Sequence, residues 1–329
     1  MLEYKQTLLL LFFLGLTTGI AVMGFGFQWE GKSPFVNPVV VGKRQNTEES
    51  FFKTVNLYLL ENQKPKLLLN AEEMALHTYR DQTSFFRPKG TAYTEAGQPV
   101  DYMARRGFFD GKLQRLSLFE NVELKMNKNW IKSEMMTYLI EQDQLEATGS
   151  VRSYHYDEVN RDRLFANANR ASGQPRAGEM EYFGDVNGRI ERLRAYEPPV
   201  FYKAQQMRLS MPKLMIHLID QVQLKKQDLT ADSRSGEIFL DNYNKKLKYY
   251  VLNDDVKVVE KVQLGKDSII RRSFSERLEG FALESKIVLT GYPRVFQKQD
   301  VIKGNRITLR ENTEVVEVED SNTQFLLGK

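Results

Sequence analysis

Two nine-residue stretches of this chain, LFENVELKM (Leu118–Met126) and LIDQVQLKK (Leu218–Lys226), spell one pattern twice. Leu, Val, Leu and Lys recur in register. An acid and an amide stand between the apolar halves, Glu120-Asn121 in one and Asp220-Gln221 in the other. Apolar residues alternate with polar ones on both sides of that pair, the period of a strand with one buried face. Residues such as Gly, Asn, Asp and Pro let a backbone turn at low steric cost. The β-branched Val that follows then points back into a shared interior. Relatives of the phrase place Thr148 to Ser150 before Val151, Glu197 to Pro199 before Val200, Asn253 to Asp255 before Val256, and Gly291 to Arg294 before Val295. These valines lie 22 to 49 residues apart. Such spacing argues against a strict solenoid period and for β-units joined by hairpins of unequal length. One unit is too small to bury its own apolar face, and stacking units buries a continuous one. The expected fold is all-β, a sandwich or jelly roll of stacked antiparallel β-units. Leu118, Val122, Leu124, Val151, Leu218, Val222, Leu224 and Val256 face inward, as core or as the wall of an apolar groove.

Strand signals run from Phe51 onward. RITLRENTEVVEVED (Arg306–Asp320) alternates, breaks at Glu311-Asn312 and resumes with β-branched residues, as a hairpin does. KLKYYVLNDDVKVVEKVQL (Lys246–Leu264) reads similarly, with a turn at Asn253 to Asp255. AEEMALH (Ala71–His77) and SEMMTYLIEQ (Ser133–Gln142) carry good helix formers, but they are short and uncapped and are assigned as strands.

The N-terminus differs. Thr7 to Phe27 holds no charged residue and, as a helix, spans about 30 Å, the thickness of a hydrocarbon core. Trp29 follows where an interfacial aromatic sits. A cleaved leader ending near Gly19-Ile20-Ala21 is the competing reading, and the apolar run past Ala21 favours an uncleaved anchor. Charges flank the run on both sides, Lys5 before it and Lys32, Lys43 and Arg44 after it, and leave its orientation open. The resulting organisation is an anchor over 1–28 and a Pro-containing linker over 29–50. Two β domains follow, 51–160 and 161–329, with the boundary somewhere in 157–178.

Catalysis has little to stand on. The chain has no cysteine, hence no disulfide, thiolate or Cys nucleophile. His77, His155 and His217 fall in no metal-ligand spacing, and no nucleophile elbow or phosphate-binding Gly loop appears. No enzyme activity, cofactor or metal is expected. A net charge of +4, with both signs mixed along the chain, does not mark a nucleic-acid partner. Lys245 and Lys246 among tyrosines, with Arg271 and Arg272 further on, are candidate phosphate contacts.

The stretch KLLLNAEEMALHTYRDQTSFFRPKGTAYTEAGQPVDYMARRGFFDGKLQRLSLFENVELKM (Lys66–Met126) resembles the lipopolysaccharide-transport proteins of the LptC, LptA and OstA type. IKSEMMTYLIEQDQLEATGSVRSY (Ile131–Tyr154) continues the LptC-like part and contains Ala-Thr-Gly-Ser-Val. LTGYPRVFQKQDVIKGNRITLRENTEVVEVED (Leu289–Asp320) is similar to LptA, with Thr-Gly-Tyr-Pro leading to Ile-Thr-Leu and a closing Val-Glu-Val. The chain departs from the LptC pattern by continuing for roughly a second domain. An elongated LptC and an LptC joined to an LptA-like module both fit. The resemblance implies an open OstA-like β-jelly-roll, anchored in the inner membrane with its large C-terminal region in the periplasm. It implies that lipopolysaccharide, held by its lipid A acyl chains, is accepted from an inner-membrane ABC transporter and passed toward the outer membrane. It also implies edge-strand pairing of Val315, Val316 and Val318 with an LptA-like protein or the periplasmic domain of an outer-membrane receptor. The alternatives are an envelope scaffold that carries no lipid and a tethered polyanion binder.

Overall fold

The structure, a computed structural model, describes residues 49–320 apart from 62, 78–81, 94–96, 141, 157–160, 176, 192–197, 241–249, 265–266, 282–283 and 312. The apolar run Thr7–Phe27, the linker except for its last two residues, which already begin a strand, and Lys245 and Lys246 therefore lie outside the described residues. Every regular element described is a β-strand.

Ten strands form an uninterrupted antiparallel ladder: β7 (Arg115–Met126), β8 (Asn129–Leu139), β9 (Gln144–Tyr156), β10 (Arg163–Gln174), β11 (Glu179–Glu191), β12 (Val200–Ser210), β13 (Met215–Lys226), β14 (Leu229–Phe239), β15 (Tyr250–Leu264) and β16 (Asp267–Phe281). Each pairs with the next, and β9 to β10 is no exception, so the ladder runs through the segment where a boundary is expected. Ala71–His77 lies in β2 (Lys64–His77), and β8 takes up most of Ser133–Gln142, so both helix-prone stretches are strands.

Each odd-numbered strand of the ladder bends at a β-bulge. Two of its residues oppose one residue of each even-numbered neighbour, and both sit in the left-handed region. The pairs are Glu120-Asn121, Gly149-Ser150, Gly184-Asp185, Asp220-Gln221 and Asp254-Asp255, and Gly291-Tyr292 continues the series beyond the ladder. They face Glu134, Asn169, Gln205, Arg234 and Glu276 on the even strands. Left-handed backbone is costly for most residues and easiest for Gly, Asn and Asp, which explains the composition of the corners. At Gly184, where φ is +75°, an added Cβ would also meet the Asn169 side chain at 2.8 Å. On the even strands the residue before the bend is small and buried: Ser133, Ala168, Ala204, Ser233 or Ser275. The three serines donate to the carbonyl two residues ahead, at 2.8 to 3.1 Å, and brace the kink.

Two expectations change here. Asn253 to Asp255 is not a hairpin turn, because β15 passes straight through it and only bends. Val200 is the first residue of β12, with Glu197 before it outside the described residues, and a corner that the sequence did not single out is Gly184-Asp185, before Val186. With that exchange the corner valines are Val122, Val151, Val186, Val222, Val256 and Val295, 29 to 39 residues apart. The units are near-equal, one per pair of strands.

The bends divide the ladder into a first arm, before each corner on the odd strands, and a second arm after it. Broken strands extend both arms at either end. β1 (Glu49–Glu61) pairs with β2, whose two ends pair with β3 (Gln82–Phe86) and β4 (Lys89–Tyr93). These continue through β6 (Arg106–Asp110) and β5 (Pro99–Met103) to the two arms of β7. At the other end the first arm of β16 leads to β17 (Lys286–Thr290), β20 (Arg306–Arg310) and β21 (Val316–Glu319). Its second arm leads to β18 (Arg294–Gln297) and β19 (Asp300–Lys303). Leu218 and Val222 flank a corner yet are both buried, so the bend keeps both arms facing one interior. A single apolar cluster fills that interior from Leu67 to Leu309.

Candidate functional site

The interior between the arms is the candidate site. Val122, Val151, Leu218, Val222, Leu224 and Val256 are buried in its continuous core. Leu118 is buried too, and Leu124 is half-buried; these two line an apolar cavity of ≈ 150 Å³. Met136, Leu145, Met180 and Leu209 form other parts of its wall. Trp130, next to the β7–β8 turn of the second arm, and Pro175 and Met211, from turns of the first arm, stand at opposite lips of the cavity. Lys66 and Lys125 add cationic heads at its margin, their stems suited to apolar contact.

Glycine and tyrosine shape the wall in a way that the repeat does not announce. Tyr102 faces Gly90 and Tyr202 faces Gly188 across paired strands, each ring where a glycine Cβ would be. Each hydroxyl donates to a backbone carbonyl one strand further, Leu68 O at 3.0 Å and Phe165 O at 2.8 Å. A buried tyrosine thus keeps its polar end satisfied. Tyr182 bonds Ser153 Oγ and His155 Nε2, both at 2.8 Å. Burial raises the Tyr182 hydroxyl and lowers the His155 imidazole to about 4, so His155 is a neutral wall residue.

Toward the C-terminal end the interior is crossed by charge. Lys226, Glu260 and Arg271 form a row along the second-arm lip, with Leu229 between the first two. Lys226 Nζ reaches both carboxylate oxygens of Glu311 at 2.8 and 2.9 Å. Arg271 Nη2 and Nε bond Glu260 Oε2 at 2.6 and 3.1 Å, and its guanidinium also donates to the carbonyls of Arg310 and Thr313. The chain leaving β20 is thereby fastened across the seam. Arg271 is 0 % exposed, which corrects its assignment as a phosphate contact: its guanidinium is used inside the fold. Arg272, one residue on, points outward and is exposed.

Among the described residues β21 pairs with β20 alone. The Glu319 carbonyl accepts from the Asn305 amide, and backbone groups alternate sides along a strand. The amides of Val316 and Val318 therefore point away from β20. Their side chains pack on the core, while Val315 is exposed.

The model for lipopolysaccharide-assembly, LptC-related proteins matches residues 16–191. A second, for the LptA/(LptD N-terminal domain) LPS transport protein, matches residues 202–315. No curated protein matches the chain. Thirteen solved chains match. One is LptH from Pseudomonas aeruginosa, described as the LptA-homologous periplasmic component of the lipopolysaccharide transport device. It is 13% identical, with 37% of this chain and 83% of that chain covered and a TM-score of 0.33.

Proposed function

We propose, for a chain that belongs to the LptC-related family of lipopolysaccharide-assembly proteins, that it is a non-catalytic bridge carrying lipopolysaccharide acyl chains through the space between its two β-arms. The chain takes part in lipopolysaccharide transport across the periplasm. The finer reading is that it accepts the lipid from an inner-membrane ABC transporter, held there by the apolar run Thr7–Phe27, and hands it on from its LptA-like region. The observation that carries this reading is the single apolar interior, which runs across the strands rather than along one of them and opens into a cavity in the LptC-like part. A chain of a dozen methylenes gains about 10 kcal/mol on leaving water, so its passage needs such a continuous lining. The outward amides of Val316 and Val318 suit strand addition by an LptA-like domain or an outer-membrane receptor. The 51–160 and 161–329 domains become, in this reading, two regions of one ladder.

Photo-crosslinking tests the reading. A photoreactive residue at Leu124, and another at Leu118, should form lipopolysaccharide adducts in cells with an active transporter. The same residue at exposed Lys203 should not. Adducts absent at both cavity positions, with the envelope complex intact, would leave the scaffold reading in its place.

A further inference from the structure

We infer that the outer face of the second arm, across β15, β16, β18 and β19, is a docking surface for an anionic phospholipid membrane. The face is a grid. Lys257, Phe274, Arg294 and Lys303 lie in one cross-strand row, and Val259, Arg272, Phe296 and Val301 in the next. Lys261 and Ile270 begin a third. Cations and apolar side chains thus alternate along the strands and, from β15 through β16 to β18, across them.

Three observations separate this face from an ordinary solvated sheet. Its apolar members other than half-buried Val301 are exposed: Ile270 at 59%, Val259 at 45%, Phe274 at 40% and Phe296 at 39%. The two phenylalanines meet edge to face at 5.7 Å, forming a ridge in water. The outward positions of these rows carry no carboxylate, and the acids nearest them, Asp255 and Glu276, stand at the corner. Lys257 leans on Asp255 at the corner, whereas Lys261, Arg272, Arg294 and Lys303 have no acidic partner among the described residues. Earlier in the same arm the outer face does carry acids, in the contacts Lys132–Glu123, Arg163–Glu191 and Gln223–Asp232.

Interleaved cations and apolar groups on one sheet face fit an interface in which phosphates and acyl chains are offered together. A protein groove would instead call for a shaped apolar core with a polar rim. A membrane surface gives apolar side chains a few ångströms of hydrocarbon and gives each basic residue an attraction of about fivefold in binding. The face does not involve the interior, so this inference stands apart from the lipid-carrying role.

The absence of cysteine makes the test clean, because one introduced thiol takes one dye. The full chain is reconstituted in phosphatidylcholine nanodiscs, with an environment-sensitive fluorophore on Ile270→Cys. Vesicles of phosphatidylcholine with phosphatidylglycerol are then added. The emission should shift to the blue, and salt should reverse the shift. Pure phosphatidylcholine vesicles should give no shift, nor should a fluorophore on Lys203→Cys of β12. Replacing Lys261 and Arg272 by Glu should weaken vesicle binding at least tenfold with an unchanged melting curve. A fluorophore at 270 that stays in water with anionic vesicles overturns the inference. So does an equal response to neutral ones, or capture of the face by a protein partner while it ignores lipid.

Discussion

Glu260→Gln removes one carboxylate from beneath the seam and leaves the Arg271 guanidinium where it is. Arg271 is fully buried, and Glu260 is 3 % exposed. The variant side chain keeps its size and one accepting oxygen but no countercharge. Arg271 retains the Arg310 and Thr313 carbonyls, so it is hydrogen-bonded yet unpaired in charge. Removing one partner of a buried pair costs about 3–5 kcal/mol, most of it the desolvation of the ion left behind. The loss falls on β16, β20 and the chain between β20 and β21. In a ladder where each strand contacts only its neighbours, that end opens before the rest. Hydrogen exchange should therefore quicken at β17 and β20 while β8 to β11 keep their protection. A thermal melt should gain an early transition. The companion variant replaces both residues, Glu260→Leu with Arg271→Met, and removes the charge problem altogether. It should recover most of the stability, since an apolar substitute for a buried pair is often neutral or better. A loss below about 1 kcal/mol for Glu260→Gln, or a double variant as unstable as the single one, would refute the argument.

Other outcomes follow from the same geometry. Gly184→Val places a β-branched residue at φ +75° against Asn169; a loss of about 2–3 kcal/mol in denaturant titration, centred on β10 to β12, is expected. His155 is held near 4 in the folded chain, below its unfolded value, so its contribution to stability is fully present above about pH 6.5 and is lost as pH falls toward 4. His155→Gln should flatten the pH dependence of the melting temperature across that window, and an unchanged slope would assign the acid sensitivity elsewhere. Val316→Pro deletes an amide that faces away from β20. The melt should stay within about 1 kcal/mol, while affinity for an LptA-like partner drops about fivefold to tenfold, the worth of one backbone hydrogen bond. Undiminished partner binding would remove β21 as the docking edge.

The local pattern carried much of this architecture. An apolar residue-x-Leu before a polar pair and Val-x-Leu after it name the interior residues at alternate positions of β7 and β13, because strand alternation is a short-range property. The Gly184-Asp185 unit escaped because its interior residues are Tyr182 and Gly188 rather than leucines. Gly188 makes sense only beside Tyr202, and that pairing is set by cross-strand register. Arg271 and Arg272 show the same limit. Adjacent strand residues face opposite sides, so one belongs to the interior and the other to the outer surface. The partner that decides the matter, Glu260, lies on another strand, and Glu311 is 85 residues from the lysine it binds. Charge networks closed through tertiary structure leave no local signature.

The recurrence of one left-handed pair in every second strand bears on movement inside the protein. Strands lie about 4.8 Å apart, so the wall nearly repeats itself every ~10 Å along the stack. In the lipid-carrying role proposed above, a hydrocarbon displaced by one repeat would exchange its contacts for others of the same kind. Its free energy along the stack would be a corrugated but level profile, and its motion there a random walk. Such a track would give no preferred direction; net flow would come from loading at one end and removal at the other. The exception is the row from Lys226 to Arg271, where in that role the level profile would meet a charged step, closed by the Lys226–Glu311 and Arg271–Glu260 pairs.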